Sequence, residues 1–195
     1  GLDVELPEGN MIIDIGGGTT DIAVIALSGI VTDQSIRVAG DDFTLDIVEY
    51  VKRQHNILIG ERTAEQVKIH VGSALQDLEN APEDFAVHGR DLLTGIPKQV
   101  TVAYTEIAGC LDKSISKIEE AIMKALESTP PELASDIYQK GIYLTGGGAL
   151  LRGLDKRIAM KTKLPVRVAD DPLRAVVRGT GIALKNRHRY TFLMS

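Results

Sequence analysis

The sequence predicts an α/β chain with a mixed sheet. Three observations carry that expectation: short apolar β-branched runs joined by tight turns within the first forty residues, a switch to helical spacing after Asp41, and two glycine-rich loops, each at the end of an apolar run. Met11–Ile15 is the first strand, and it ends in glycines. Asp21–Leu27 is the second. Gly29 turns the chain into a third, Ile30–Val38, rich in β-branched residues. Three strands this close in sequence make an antiparallel meander.

The period then changes. Asp41-Asp42 read as a helix start, with Phe43, Ile47, Tyr50 and Val51 on one face, ending near His55. Thr63 is the expected cap of a second helix carrying Val67 and Val71, with Gln66 three residues on. Residues 76–84 are polar and contain Pro82, so they read as a loop. Phe85–His88 and Gln99–Ala103 read as strands linked by the turn-rich stretch 89–98. A long helix capped by Thr105 repeats Ile107, Leu111, Ile115, Ile118, Ile122 and Leu126 at threes and fours, and Pro130-Pro131 end it. Gly141–Thr145 is a buried strand, followed by glycines and a helix from Ala149 to about Thr162. Pro165–Ala169 is a further strand. Asp171-Pro172 open a last helix, and Arg187, His188 and Arg189 near its end complement its dipole.

Composition narrows the function. The chain has 195 residues, 44% hydrophobic and 25% charged, which is globular rather than disordered. A net charge of −5 argues against nucleic acid as a partner. One cysteine, Cys110, excludes a disulfide framework and reads as a small core residue. His55, His70, His88 and His188 show no zinc-ligand spacing, and the first three read as surface residues. No apolar run approaches the ~18 residues that span a bilayer. No segment reads as a signal peptide, so a reducing cytoplasm is the expected compartment.

Two loops carry the chemistry. Asp14-Ile15-Gly16-Gly17-Gly18-Thr19-Thr20-Asp21 joins strand to strand. A dinucleotide fingerprint or a P-loop would run from strand into helix, so neither fits. Glycines there let a backbone point its N–H groups at an anion, and two threonine hydroxyls add donors. Leu144-Thr145-Gly146-Gly147-Gly148-Ala149-Leu150 does run from strand towards helix and suits a phosphate or a ribose hydroxyl. Alone it is ambiguous, because glycine also serves close strand–helix packing. Together the loops point to one ligand at the strand ends of an open sheet. Glu65 and Lys68 share a helix face; they are a solvated ion pair or a pair reaching one ligand.

The order D-I-G-G-G-T-T-D, V-A-G-D-D, I-G-E-R-T-A-E-Q-V-K, G-R-D-L-L-T-G-I-P-K and L-T-G-G-G-A-L-L-R-G-L-D closely resembles the MreB family of bacterial actin homologues, over residues 14–184. The glycine motifs fit the wider actin, sugar-kinase and chaperone ATPase superfamily, whereas 59–68 and 89–98 resemble MreB-type proteins specifically. The resemblance implies an actin-like ATPase fold, with a ribonuclease-H-like mixed sheet, and a cleft that binds ATP and Mg²⁺. Asp14, Gly16, Gly17, Gly18, Thr19 and Thr20 would form the second phosphate loop, with Asp14 acting on Mg²⁺ through water. Glu65, Gln66, Val67 and Lys68 would edge the nucleoside, and Gly146, Gly147, Gly148, Ala149 and Leu150 would form the adenosine motif.

The family's first phosphate loop, D-x-G-T, has no counterpart anywhere in these residues. The chain is therefore expected to be the second lobe alone, with 1–39 and 106–195 forming subdomain IIA and 40–105 an inserted IIB. No catalytic residue is assigned to it, and by itself it should bind ATP weakly and hydrolyse it negligibly. The resemblance further implies cytoplasmic, membrane-associated filaments of self-associated subunits, working with the cell-wall elongation machinery to maintain rod shape. The alternatives are a small-molecule kinase of the same superfamily and a stand-alone interaction lobe.

Overall fold

In a computed structural model, which describes residue 2 and residues 4–186, the meander is β1 (Asn10–Ile15), β2 (Thr20–Ala26) and β3 (Gly29–Ile36). Leu27 and Ser28 both take positive φ, 50° and 60°, to make the tight β2–β3 turn. Then come α1 (Gly40–His55), β4 (Ile57–Leu58), α2 (Glu61–Val71), β5 (Phe85–Asp91) and β6 (Pro97–Val102). The chain continues through α3 (Tyr104–Glu127), α4 (Pro131–Lys140), β7 (Ile142–Thr145), α5 (Leu154–Thr162), β8 (Val166–Val168) and α6 (Ala175–Lys185). One sheet has the order β3-β2-β1-β7-β8, with β1 antiparallel to β2 but parallel to β7. It is the mixed sheet expected. A second sheet, β4-β5-β6, is antiparallel.

Met11, Ile13 and Ile15 alternate inward from β1 and are fully buried. They share one core with the stripe of α3, which packs along β2 and β3 and whose Ile107, Leu111, Ile115, Ile118 and Ile122 are also fully buried. Each such side chain contributes about 1.5–3 kcal/mol by leaving water. Cys110 is half-buried against this core, and burial, followed by the nearby Asp46 charge, pushes its thiol up to about 12. Arg157 of α5 fastens itself to α3 through Glu119 (2.9 Å) and Asp112 (2.9 Å).

Several sequence expectations are corrected. Thr63 and Thr105 are not caps, because α2 starts earlier, after Gly60, and α3 starts after Ala103. At Ala103 the capping partner is Glu106, whose Oε2 accepts the Ala103 N–H at 2.8 Å. Pro130-Pro131 do close α3, but Pro131 is also the first residue of α4, a position where the missing N–H costs nothing. The turn placed over 89–98 is shorter: Gly89–Asp91 extend β5 and Pro97-Lys98 begin β6. The helix expected from Ala149 is a single 3₁₀ turn, Gly147–Leu150; Gly153 at φ +73° separates it from α5. The Asp171-Pro172 start is likewise 3₁₀ (Pro172–Arg174) before α6 takes over. His55 is half-buried rather than on the surface, with Nε2 3.2 Å from Glu106 Oε1. Arg187, His188 and Arg189 lie outside the described residues.

Candidate functional site

Parallel pairing of β1 with β7 puts Asp14 opposite Thr145, so both glycine loops leave the same end of the sheet. They meet there. A cavity of about 500 Å³ is lined by Gly16 and Gly17 of the first loop, Gly147, Gly148 and Leu150 of the second, and Glu65 and Lys68 of α2. That volume lies within the range of small-molecule sites. Phe43, Ile69, Leu151 and Leu173 add apolar lining, and Gly40 and Asp41 complete the wall.

The first loop is a β-hairpin tip stapled to the start of α1. Gly40 N–H donates to Gly16 O (3.1 Å) and Asp41 N–H to Gly17 O (2.8 Å). With those carbonyls turned towards α1, the successive amides of Gly17, Gly18 and Thr19 find no acceptor among the described residues. A run of free N–H groups on an exposed loop is a concavity for an anion. In the second loop Gly146 N–H is used by Pro172 O (3.0 Å), while the Gly147 and Gly148 amides have no acceptor among the described residues. Here glycine is needed for close approach. A Cβ on Gly146 would lie 2.3 Å from Ile15 O, and one on Gly148 would lie 2.2 Å from Ile15 Cγ2.

Not every residue expected at the site faces it. The Thr20 hydroxyl is fully buried and donates to Val38 O (2.7 Å), which anchors β2. Thr19 Oγ1 donates to Asp21 (2.9 Å). Both hydroxyls are therefore occupied, and only the backbone of this loop is free to donate. Val67 points wholly into the core, Gln66 is exposed away from the cavity, and Ala149 is buried. A helix shows a ligand only one side, and Glu65 and Lys68 occupy it. Lys68 Nζ bonds Glu65 Oε2 (2.6 Å), Gly40 O (2.8 Å) and Thr44 Oγ1 (3.0 Å). Gly40, Asp41, Phe43, Ile69, Leu151 and Leu173 line the cavity without having been expected there, and Thr44 braces its polar pair. Of these only Gly40 and Asp41 fall in a noted motif, the V-A-G-D-D string.

Charge near the cavity is uneven; Asp14 lies behind the glycine loops and does not line it. Burial, and then the Asp21 carboxylate across the hairpin, raise the Asp14 pKa above the ordinary value. For Glu65, burial pulls upward, but hydrogen bonds from Lys68 and Thr44 and the Lys68 charge prevail, so its carboxyl titrates below the ordinary value. Among the described residues no cluster of three His, Cys, Asp or Glu side chains is arranged to hold a metal.

A family model described as MreB/Mbl protein matches residues 1–191. The chain belongs to the MreB/Mbl family. It is 47% identical to the cell shape-determining protein Mbl of Bacillus subtilis over 186 residues, which is 95% of this chain and 55% of that protein. It thus spans about half the length of such a relative. The crystal structure of MreB 5 of Spiroplasma citri bound to AMPPNP superposes with a TM-score of 0.92 at 42% identity, covering all of this chain and 58% of the other. A MamK double helical filament structure aligns at TM-score 0.68 and 25% identity, over 84% of this chain and 50% of that one. The fold of this MreB/Mbl member is accordingly actin-like, and the described residues account for one lobe of it.

Proposed function

We propose that this chain is the nucleotide-holding second lobe of an actin-like protein that forms ATP-dependent filaments, guiding wall synthesis and maintaining cell shape. Subdomain IIA is 1–39 with 106–195, and the insert 40–105, which carries the three-stranded sheet, is IIB. The observation that carries the reading is the pair of glycine loops bordering one cavity, with unpartnered amides on its wall at Gly17, Gly147 and Gly148. Gly17, Gly18 and Thr19 offer their N–H groups to the β- and γ-phosphates. Gly147 and Gly148 offer theirs nearer the nucleoside, Glu65 and Lys68 form its polar edge, and Leu150, Leu151 and Leu173 supply apolar surface for the base.

Asp14 fits a role beside Mg²⁺. Its carboxylate is held against burial and a like charge, and a divalent cation relieves both. With no clustered carboxylate ligands among the described residues, the cation would arrive on the phosphates and meet Asp14 through water. Bound Mg²⁺ neutralises phosphate charge. The relatives support each part separately: a Spiroplasma MreB crystallised with AMPPNP, a Bacillus Mbl named for cell shape, and a MamK that forms filaments. Family membership leaves the small-molecule kinase alternative without support.

Titration of the chain with a fluorescent ATP analogue, with and without Mg²⁺, tests this. Saturable binding that Mg²⁺ tightens and unlabelled ATP displaces is expected. No binding up to about 1 mM, where little more than 4 kcal/mol of affinity is demanded, would contradict it.

A further inference from the structure

The C-terminal end of α2 is held by a residue from a distant part of the chain. α2 packs on α1 and β5, both within 40–105. The last carbonyls of a helix lack intrahelical partners. Here one guanidinium serves that end: Arg152 Nη1 donates to Ile69 O (2.9 Å) and, just past the helix, to Gly72 O (3.4 Å). A cation also suits the negative end of the helix dipole. The backbone doubles the grip. Ala74 N–H donates to Arg152 O (2.8 Å), and Ser73 pairs with Arg152 as a parallel bridge. Glycine makes the join possible, since a Cβ on Gly72 would lie 2.1 Å from Lys68 O and 3.0 Å from Leu151 Cδ1. Arg157 Nη1 secures the same segment from α5, donating to Ala74 O (3.2 Å). Arg152 follows directly on Leu150 and Leu151, which line the cavity from the second glycine loop, and Ile69 lines it from α2. Arg152 itself is not part of the lining. One side chain thus ties the two walls together from outside the cavity.

We propose that Arg152 is a positioning residue: it latches the end of α2 to the second glycine loop, so that both walls meet a nucleotide as one body and occupancy of the cavity is felt in the segment 72–74. This rests on the nucleotide reading above. Without the latch, α2 keeps its packing on α1 and β5 but shifts with them relative to the loop. A nucleotide must then restrict that motion itself, at a cost in affinity. Coupling of this kind is reciprocal: whatever factor the latch adds to nucleotide affinity, the nucleotide adds to the latch.

Amide hydrogen exchange at Ala74, whose N–H closes on Arg152 O, reads the latch. The Gly141 N–H, which donates to Ile137 O at the other end of β7, is the reference for global opening. In the wild type, saturating Mg·ATP should raise the protection of Ala74 about tenfold more than that of Gly141. In Arg152→Met, which keeps an apolar stem and loses the donors, that excess should vanish and ATP affinity should fall about tenfold. Arg152→Lys keeps the cation and should recover part of each. An arginine that only capped α2 would, when replaced by methionine, lower the melting temperature and leave affinity and the ATP-dependent excess at Ala74 unchanged; that result overturns the proposal. Wild-type Ala74 protection that merely follows Gly141 also overturns it, with nucleotide binding intact, and this arm stands even where Arg152→Met does not fold. A wild type that binds no nucleotide overturns both readings.

Discussion

Gly18 and Gly148 look alike in sequence and differ in what surrounds them. Nothing lies within 4 Å of a Cβ built on Gly18, whereas one on Gly148 strikes Ile15. Gly148→Ala should therefore cost about 1–3 kcal/mol in calorimetry, and Gly18→Ala should leave the melting temperature unchanged. Asp14 makes the opposite kind of case, a residue that weakens the fold it belongs to. Its folded pKa is raised, so its ionised form is disfavoured in the native state. The destabilisation is absent below the ordinary value of 3.8 and grows as pH rises from there through the raised value. Asp14→Asn should raise the melting temperature at pH 7, leave it unchanged at pH 3, and weaken the Mg²⁺ dependence of nucleotide binding. The glycines and Asp14 were visible in the sequence because their types are unusual in that pattern. The occupied hydroxyls of Thr19 and Thr20 were not, since their partners Asp21 and Val38 are set by hairpin geometry. Thr44 was invisible for the same reason; its partners lie 21 and 24 residues away on α2.

Among the elements, the β5–β6 hairpin shows what local polar chemistry does. Asp91 ends β5, and its carboxylate accepts the Thr94 N–H (2.9 Å), the Lys98 ammonium (3.1 Å) and the Leu93 N–H (2.9 Å). Those contacts, Thr94 first, hold its pKa down at about 2. The stability it contributes is fully present above the ordinary value of 3.8 and is lost as pH falls towards about 2. Protection of the Leu93 and Thr94 amides, relative to their intrinsic exchange rates, should fall through that window. Asp91→Asn should show the lowered protection already at neutral pH; wild-type protection in that variant would contradict the assignment. Long periodic elements such as α3 were legible, because ten residues of buried stripe leave little ambiguity. Short ones were not. β4 has two residues and pairs through Asp91 and Arg90 of β5, a tertiary contact without sequence periodicity. In α4 only Ile137 is buried, too few apolar contacts to announce a helix, and the proline pair that starts it also reads as a stop.

For the whole molecule, one lobe supplies one wall of a cleft. Phosphoryl transfer needs metal, donors and a positioned water held together, and the described wall contributes amides and Asp14. The chain by itself should turn over ATP at a rate indistinguishable from buffer. Analytical ultracentrifugation should show no long ATP-dependent polymers, because head-to-tail growth needs a surface at each end of a subunit. Polymers of this chain alone would contradict the half-cleft account. The meeting of the two glycine loops was legible in the sequence as a pair of strand-end loops, and parallel β1–β7 pairing is what realises it. The measurement that tests it most directly is an amide NMR titration of the chain with Mg·ATP. Signals of Gly17, Gly18 and Thr19 should move together with those of Gly147 and Gly148, along curves described by a single dissociation constant. Movement confined to one loop, or two loops that saturate independently, would contradict a shared nucleotide site.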